Sequence, residues 1–488
     1  MEVIALIQWI DKTLSAKNSL WAKALFRWLC YTALGGLLLA VDPFGLGSFA
    51  EEGSQKALYE IGGPLYSSDA REDITIVLVT ESSLKRLYEL KITGTNEWPL
   101  LYQDWGVILK TIAAHDPRSI FVDVLFEQER VTDPSLPSLK ATLDRLRYGP
   151  PIYFAAGAPP YDSPLLTQLD AFADLVGSSW EGHGNGVPLE QQGYPLAAMA
   201  LYQDACNPNK PHLAGCNTNS EWALEPSSNR STLSLVWGSR GKLPLTAELE
   251  GYSRGEYCTN NTDSLGDLGV GVLKSAVGDL WEPLKAWVQD LQSALWDPSN
   301  AKTRGTRCLF HRVIDVEELL LIFDHGTQAE KAALKRSLEN KVVLVGTFFK
   351  GLPDTTETPN LGTVPGVALH AMMLDNLMKY GPDYIKTAGL NTLPYNASIW
   401  AFMVLLLVLW IAWREQNLAS RKADAFAPFT GWDATAFLVV SFSLTCAAAF
   451  LTYYLFRFEP ANAIGFMGLA ELTRRIYGKP KSAKEEKA

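Results

Sequence analysis

An uncharged apolar run of 23 residues, 434–456, constrains the fold of this chain more than any other feature. A run of this length crosses the ~30 Å hydrocarbon core of a bilayer as a helix. Three further apolar runs are shorter: residues 24–41, 397–413 and 458–473. The apolar part of the last of these, residues 460–470, is cut off by Glu471, and we predict a short span over residues 458–473, with a re-entrant or interfacial segment as the alternative. The sequence therefore predicts three or four transmembrane helices, one near the N-terminus and two or three near the C-terminus.

Basic residues orient these helices. Lys and Arg collect in residues 1–23, 414–433 and 474–488, and such clusters stay on the cytoplasmic side of a membrane. We therefore predict a cytoplasmic amphipathic N-terminus, an extracytoplasmic region over residues 42–396 and a basic cytoplasmic tail. A cleaved signal peptide is the alternative for the first apolar run. The net charge is -10, and the middle region is more acidic than the chain as a whole because both ends are net positive, which argues against nucleic acid as a partner.

Cysteine usage indicates an oxidising compartment for the middle region. Two of the six cysteines, Cys30 and Cys446, lie in predicted spans, and the remaining four are an even number that can pair. We predict the disulfides Cys206–Cys216 and Cys258–Cys308. Four cysteines allow three pairings, and a zinc site is the alternative, although the spacings match no common zinc pattern.

Short apolar segments alternate with amphipathic ones through the middle region. The strand candidates are residues 74–80, 119–125, 151–156, 233–237 and 342–347. The helix candidates are residues 100–115, 136–147, 196–204, 272–296, 329–338 and 367–380. This alternation predicts an extracytoplasmic α/β domain with a mainly parallel sheet.

One stretch, residues 341–377, places a candidate site in that domain. Residues 341–347 read as a strand buried on both faces, residues 354–366 as a long polar loop, and the residues that follow as an amphipathic helix. The loop would lie at the carboxyl end of a strand, where open α/β sheets bind their ligands.

Six side chains are candidate ligand contacts there: Asp123, Asp354, Thr355, Thr358, His370 and Asp375. Asp123 ends an apolar run, so it is either paired in the core or aimed into a cleft. His370 either lines the cleft with Asp354 and Thr358 or hydrogen-bonds the backbone of the loop.

Signatures of catalysis and of cofactor binding are weak. No histidine pair has metal-ligand spacing, and neither a P-loop nor a dinucleotide fingerprint follows a strand, so we expect no metal and no cofactor. Residues 251–255 match Gly-x-Ser-x-Gly, but the strand and helix that this motif requires are missing from the pattern around it. We therefore predict that the protein is not an enzyme.

Several stretches resemble, in order, the type-two CHASE domains, which are extracellular sensor modules of bacterial histidine kinases and nucleotide cyclases. They are residues 74–80 with the polar turn Glu81-Ser82-Ser83, Trp98-Pro99, the strand before Asp123, residues 340–347, residues 364–367, His370-Ala371 and Asp375-Asn376-Leu377. The resemblance implies a multi-pass protein of the bacterial cytoplasmic membrane with its large domain outside. The residues after 470 are too few for a kinase or cyclase, so we expect a separate output protein.

The hypothesis that follows is a membrane-anchored extracytoplasmic sensor or regulator. It would pass a signal through its transmembrane helices to a separate cytoplasmic or membrane partner, with the bilayer and possible homo-oligomers as its other contacts. The alternative is a scaffold subunit of a defence or stress effector complex that senses nothing.

Overall fold

The computed structural model describes residues 66, 68–161, 163–180, 186–216, 222, 232–238, 240–241, 258–259, 307–349, 354–358 and 362–386. All of them belong to one compact unit, Tyr59–Lys386. Within this part of the chain, no helix is both long enough and apolar enough to cross a bilayer. The predicted spans, the predicted 272–296 helix and the 251–255 motif lie outside the described residues, so these remain predictions.

Strands and helices are numbered here in chain order. The strands are β1 Ile74–Thr80, β2 Ser119–Val122, β3 Ile152–Ala155, β4 Asp174–Val176, β5 Gly186–Val187, β6 Glu190–Gln191, β7 Tyr194–Pro195, β8 Leu233–Ser234, β9 Arg240–Gly241, β10 Cys258–Thr259, β11 Arg307–Cys308, β12 Arg312–Asp315, β13 Val342–Phe348, β14 Thr355–Thr358 and β15 Gly362–Pro365. The helices are α1 Glu81–Glu89, α2 Tyr102–Ala113, α3 Leu136–Leu146, α4 Pro164–Leu169, α5 Ala197–Ala205, α6 Val316–His325, α7 Gln328–Leu338 and α8 Gly366–Tyr380. Short 3-10 helices cover Asp69–Asp73 and Gly381–Asp383.

Six strands form the central sheet, in the order β12–β1–β13–β2–β3–β4. Every neighbouring pair is parallel, so the predicted α/β class with a mainly parallel sheet is confirmed. β1 is buried along its whole length and β13 along all but its last residue, as expected of strands covered on both faces. β8, predicted as a longer strand, pairs antiparallel with β5 outside this sheet.

Helices α1–α4, α6 and α7 contribute to one continuous apolar core with alternate side chains of the sheet. Val77 and Val79 of β1 and Val343 and Val345 of β13 belong to this core, because residues two apart in a strand point to the same face. Trp105 of α2 is among its largest fully buried side chains. This side of the domain is therefore mainly apolar packing, with a charged group at the start of α2 in which Arg130 pairs with the buried Asp133 at 3.0 Å, near Asp104.

α8 covers the opposite side of the sheet, where it packs on β1, β13 and α5. Its side chains are buried on nearly every face, so the helix lies inside the domain rather than on its surface. Gly346 of β13 makes this approach possible. A Cβ at Gly346 would lie 2.4 Å from the Cβ of Val367 in the first turn of α8, which is closer than packed carbon atoms come.

The segment between β13 and α8 differs from the predicted polar loop. Its described residues form an antiparallel hairpin in which β14 pairs with β15, Thr355 opposite Pro365 and Thr358 opposite Gly362. Threonine is β-branched and favours extended backbone, so the loop prediction was wrong where the threonines lie. The hairpin ends at Pro365, directly before Gly366, the first residue of α8.

The predicted Cys206–Cys216 disulfide is present. It closes a loop that lies on the 3-10 helix before β1, where the backbone N–H of Gly215 donates to Asp73 at 2.9 Å. For the second predicted pair the structure describes only backbone, and the register of β10 and β11 sets Cys258 directly opposite Cys308. That disulfide remains a prediction.

Candidate functional site

The carboxyl ends of β2 and β13 and the first turns of α8 meet at one place on the α8 side of the sheet. Asp123 follows the last residue of β2, and its backbone N–H donates to Val345 of β13 at 2.7 Å. Asp123 lies two residues after Phe121, so the two side chains point to the same face of the sheet. The ring of Phe121 contacts His370 of α8 at 5.3 Å between centroids. The alternation of a strand therefore turns the Asp123 carboxyl towards α8.

His370 and Asp123 face each other at this place. Nε2 of His370 lies 3.6 Å from Oδ1 of Asp123, and the two side chains are 5% and 10% exposed. The separation is longer than a hydrogen bond. Nδ1 of His370 is buried and has no hydrogen-bond partner among the described residues, so this nitrogen makes no bond to the described part of the loop backbone.

Asp354 is the third member of this group, held at the start of the hairpin. Thr347, near the end of β13, donates its hydroxyl to Oδ2 of Asp354 at 2.9 Å. The carbonyl of Asp354 accepts the N–H of Gly366, the first residue of α8, at 3.1 Å. A Cβ at Gly366 would lie 2.3 Å from Oδ1 of Asp354, so glycine leaves room for the carboxyl beside the helix N-terminus. We name Asp123, Asp354 and His370 the acidic–imidazole cluster.

Burial dominates the electrostatics of the acidic–imidazole cluster. It raises the pKa of Asp123 to about 7, because a carboxylate loses its hydration there. Burial and the charge of Asp123 together raise the pKa of Asp354 to about 6, against the opposing Thr347 hydrogen bond and His370. Burial lowers the pKa of His370 to about 4 although Asp354 opposes the shift. At neutral pH the imidazole is therefore neutral, Asp354 is mostly ionised and Asp123 is about half protonated, and among the described residues neither carboxyl group forms an ion pair with a Lys or Arg.

The structure brings together three of the six predicted site residues: Asp123, Asp354 and His370. Thr355 is exposed on the hairpin, whereas Thr358, three residues further along β14, is buried. Sequence reasoning missed Thr347, and it missed the two aromatic side chains beside the imidazole, Phe121 and Trp180. The signal that could have identified Phe121 is its position two residues before Asp123, which places both side chains on the same face of the sheet.

Asp375, the sixth predicted residue, lies in a second cluster. Its carboxylate accepts a short hydrogen bond from the hydroxyl of Tyr66 and lies 3.1 Å from Nε2 of His311. All three side chains are buried. Five residues along an α-helix rotate a side chain by about 140° and advance it by about 7.5 Å, which explains why Asp375 does not join His370. We name Tyr66, His311 and Asp375 the tyrosine clamp.

The tyrosine clamp joins the two ends of the described domain. Tyr66 precedes β1, and Asp375 lies in α8 near the end of the described residues. The ring of Tyr66 also packs on Phe310 at 5.2 Å and lies 4.1 Å from Nζ of Lys379. Neither Tyr66 nor His311 was a candidate from the sequence, since nothing in the pattern relates positions 309 residues apart.

Comparison with known families identifies the domain. The CHASE2 domain model matches residues 36–412, more than half of the chain. The chain belongs to the CHASE2 domain family. This confirms the resemblance found in the sequence, and CHASE2 domains are extracellular sensory domains. No curated protein and no solved structure matches the chain.

Within this CHASE2 domain, the geometry limits what the site can bind. Among the described residues, no group of three or more His, Cys, Asp or Glu side chains is arranged to hold a metal ion. In the same part of the chain, no Lys or Arg pairs with the two buried carboxyl groups of the acidic–imidazole cluster. It can hold protons or accept hydrogen bonds from a positively charged group.

Proposed function

We propose that this CHASE2 protein is a membrane-anchored extracytoplasmic sensor that passes a signal through its transmembrane helices to a separate partner protein. The acidic–imidazole cluster is the site that senses, and α8 is the element that responds. The observation that carries the proposal is that one buried helix, α8, holds His370 in the cluster and Asp375 in the tyrosine clamp.

The tyrosine clamp gives that helix a route to both ends of the domain. Residue 66 follows the predicted first span, residues 24–41, and α8 ends shortly before the predicted second span, residues 397–413. A shift of α8 therefore acts on the chain segments that lead to both spans. Interfaces of this kind are packed in discrete arrangements and respond to small shifts by changing state.

Packing around α8 favours movement of the helix as one unit. Its side chains from Val367 to Met378 are almost all buried, and Asn376 ties it to the backbone of Val236 through two hydrogen bonds of 3.1 Å. A ligand that binds one of two packings more tightly shifts their populations by that difference in affinity. A preference of about 5.5 kcal/mol takes the population from 1% to 99%.

Output belongs to another protein in this proposal. We assign no enzymatic activity to the described domain. The partner would contact the spans or the basic tail, residues 474–488, whose charge suits an acidic or membrane-proximal surface.

Hydrogen exchange of the full chain in nanodiscs tests the coupling. Asp354→Asn removes the charge beside the start of α8 and keeps a group that can accept from Thr347. We expect it to change exchange at the start of α8 and also in residues 68–73, beyond the tyrosine clamp. Asp144→Asn, on the exposed side of α3, is the matched control and should change neither region. A response confined to the hairpin and the first turn of α8 would contradict the proposal.

Protease added to intact spheroplasts tests the orientation. We expect cleavage within residues 42–396 and protection of the two ends. A middle region that stays uncut until the membrane is permeabilised would overturn the sensor assignment.

A further inference from the structure

We propose that the loop closed by the Cys206–Cys216 disulfide is a redox-gated strap, which holds the segment before β1 firmly only while the disulfide is intact. We name residues 206–216 the disulfide strap. The segment is the 3-10 helix Asp69–Asp73, which lies between the predicted first span and β1. The inference rests on the proposed function in one respect: release of this segment would give that sensor a second input, separate from the acidic–imidazole cluster.

The disulfide strap holds the 3-10 helix through two contacts at Gly215. The backbone N–H of Gly215 donates to Oδ2 of Asp73 at 2.9 Å. A Cβ at Gly215 would lie 2.2 Å from Cα of Ala70, so the backbone of the strap lies directly against the 3-10 helix. Ala70 is fully buried, and Asp73 is 7% exposed. The strap therefore covers this segment and supplies a donor to its buried carboxylate.

The 3-10 helix also has contacts that do not depend on the strap. Nζ of Lys341 lies 3.3 Å from Oδ1 of Asp73, and the helix packs on α8 and on β1. When the strap leaves, Asp73 keeps its cation and the helix keeps this packing. Loss of the strap therefore loosens the segment without unfolding it, as a reversible device requires.

The disulfide contributes as much to this arrangement as the contacts do. Residues 207–215 are all described and form no helix or strand of their own. Without covalent closure, the entropy of a loop this short raises its open population by about a hundredfold. The hydrogen bond from Gly215 to a carboxylate opposes opening by about ten- to a hundredfold, and the burial of Leu213 adds to it. Reduction therefore removes a large share of what keeps the strap in place.

Burial of the two cysteines makes the effect reciprocal. Cys206 and Cys216 are 4% and 5% exposed, whereas Pro208, Asn209 and Pro211 between them are exposed. A thiolate must reach one of the sulfur atoms before it can exchange, so reduction proceeds from an opened strap. The contacts on the 3-10 helix therefore protect the disulfide, just as the disulfide protects the contacts.

The reductant in this proposal is a dithiol. Its thiolate attacks one sulfur of the Cys206–Cys216 bond to give a mixed disulfide, and its second thiol then displaces the bound cysteine. The protein takes up two electrons and two protons as two free thiols, and the dithiol leaves as a disulfide. Dithiothreitol supplies this chemistry as a probe.

Hydrogen exchange of the full chain in nanodiscs, before and after dithiothreitol, tests the release. Alkylation and mass spectrometry confirm that Cys206 and Cys216 are reduced. We expect exchange in residues 69–73 and 207–215 to rise by up to about a hundredfold, while β1 stays protected. The double variant Cys206→Ser, Cys216→Ser should show the same rise without reductant, which separates this effect from reduction at any other cysteine.

Gly215→Ala tests the reciprocal effect. The added methyl group would lie 2.2 Å from Cα of Ala70, so it lifts the strap off the 3-10 helix and weakens the hydrogen bond to Asp73. We expect dithiothreitol to reduce the Cys206–Cys216 bond about tenfold faster in this variant than in wild type. Ala214→Ser, at the exposed neighbour in the same loop, is the matched control and should be reduced at the wild-type rate.

Three results would overturn the inference. They are unchanged exchange in residues 69–73 after reduction, loss of protection throughout the central sheet, and equal reduction rates of Gly215→Ala and Ala214→Ser. The second would make the disulfide a staple of the whole domain rather than a strap on one segment. Each result leaves the Asp354→Asn test of the sensor proposal standing, because that test uses oxidised protein. Failure of the Asp354→Asn test would instead reject the sensor and leave the release of residues 69–73 measurable.

Discussion

The hydroxyl of Tyr66 donates to the carboxylate of Asp375 across 309 residues of sequence, and both side chains are buried. His311 contacts the other oxygen of the same carboxylate at 3.1 Å. A buried carboxylate needs its partners because an unpaired one loses hydration without compensation. The first described residue of the domain is therefore fixed to its last long helix.

Tyr66→Phe should destabilise the domain. The substitution keeps the ring contacts with Phe310 and Lys379 and removes only the donor to Asp375. We expect a loss of about 1–3 kcal/mol in the free energy of unfolding, measured by chemical denaturation of the full chain in detergent. Tyr148→Phe, at a side chain 95% exposed, is the control and should stay within about 0.5 kcal/mol of wild type. Equal stability of the two variants would contradict the clamp.

The stability of Asp123→Asn relative to wild type should be greater at alkaline pH than at acidic pH. Burial raises the pKa of Asp123 from 3.8 to about 7, so between these values the folded state keeps a proton that the unfolded chain has released. The wild-type free energy of unfolding therefore falls as pH rises from about 4 through about 7, and this contribution is absent in the variant. Between pH 5 and pH 8 the stability difference should move by about 2 kcal/mol in favour of the variant. Denaturation midpoints measured at both pH values check this, and a shift of the opposite sign would refute the assigned ionisation.

Gly346→Ala should push α8 away from the sheet. The added methyl group would lie 2.4 Å from the Cβ of Val367, and overpacking of this kind costs about 1–3 kcal/mol. Val367→Ala should partly rescue it, so the double variant should lose less stability than the sum of the single losses, by about 1 kcal/mol. Strict additivity would mean that the two residues do not share the contact described.

Both predicted disulfides should appear in peptides mapped by mass spectrometry without reductant. Cys206–Cys216 is present in the structure, and its replacement by two serines should cost about 2–3 kcal/mol for a loop of this size. Cys258 and Cys308 lie opposite each other in paired strands, and we expect a linked peptide from them too. Thiol labelling of either residue in unreduced protein would disprove that pair.

The central strands could be predicted from sequence because their composition is dictated by burial on both faces. β1 matches its predicted bounds, and β13 exceeds them by one residue. α1 could not be predicted, and its first residues were assigned to a polar turn. Its helix begins with a capping box between Thr80 and Ser83 and buries only Ser83, Leu84 and Leu87, so its apolar stripe is too narrow to stand out.

The candidate site could be predicted only in outline. The positions of Asp123 at a strand end and His370 early in a helix favoured a shared cleft, and the structure places them 3.6 Å apart. Asp375 lies five residues after His370 in one helix, and this spacing alone predicts that the two side chains point in different directions. Its partners Tyr66 and His311 did not follow, because long-range side-chain contacts depend on the completed packing of the sheet and α8.

The sheet order has a consequence for biosynthesis. β13 lies between β1 and β2 in the central sheet. The two strands of this sheet that are translated first therefore do not pair with each other, and each pairs with β13 only after residues 342–348 have been made. A nascent chain halted before that point would expose the edges of both strands, which are sites of aggregation. Maturation of this domain therefore waits for nearly its whole length to leave the ribosome, and holdase chaperones would be needed most by the early translation products.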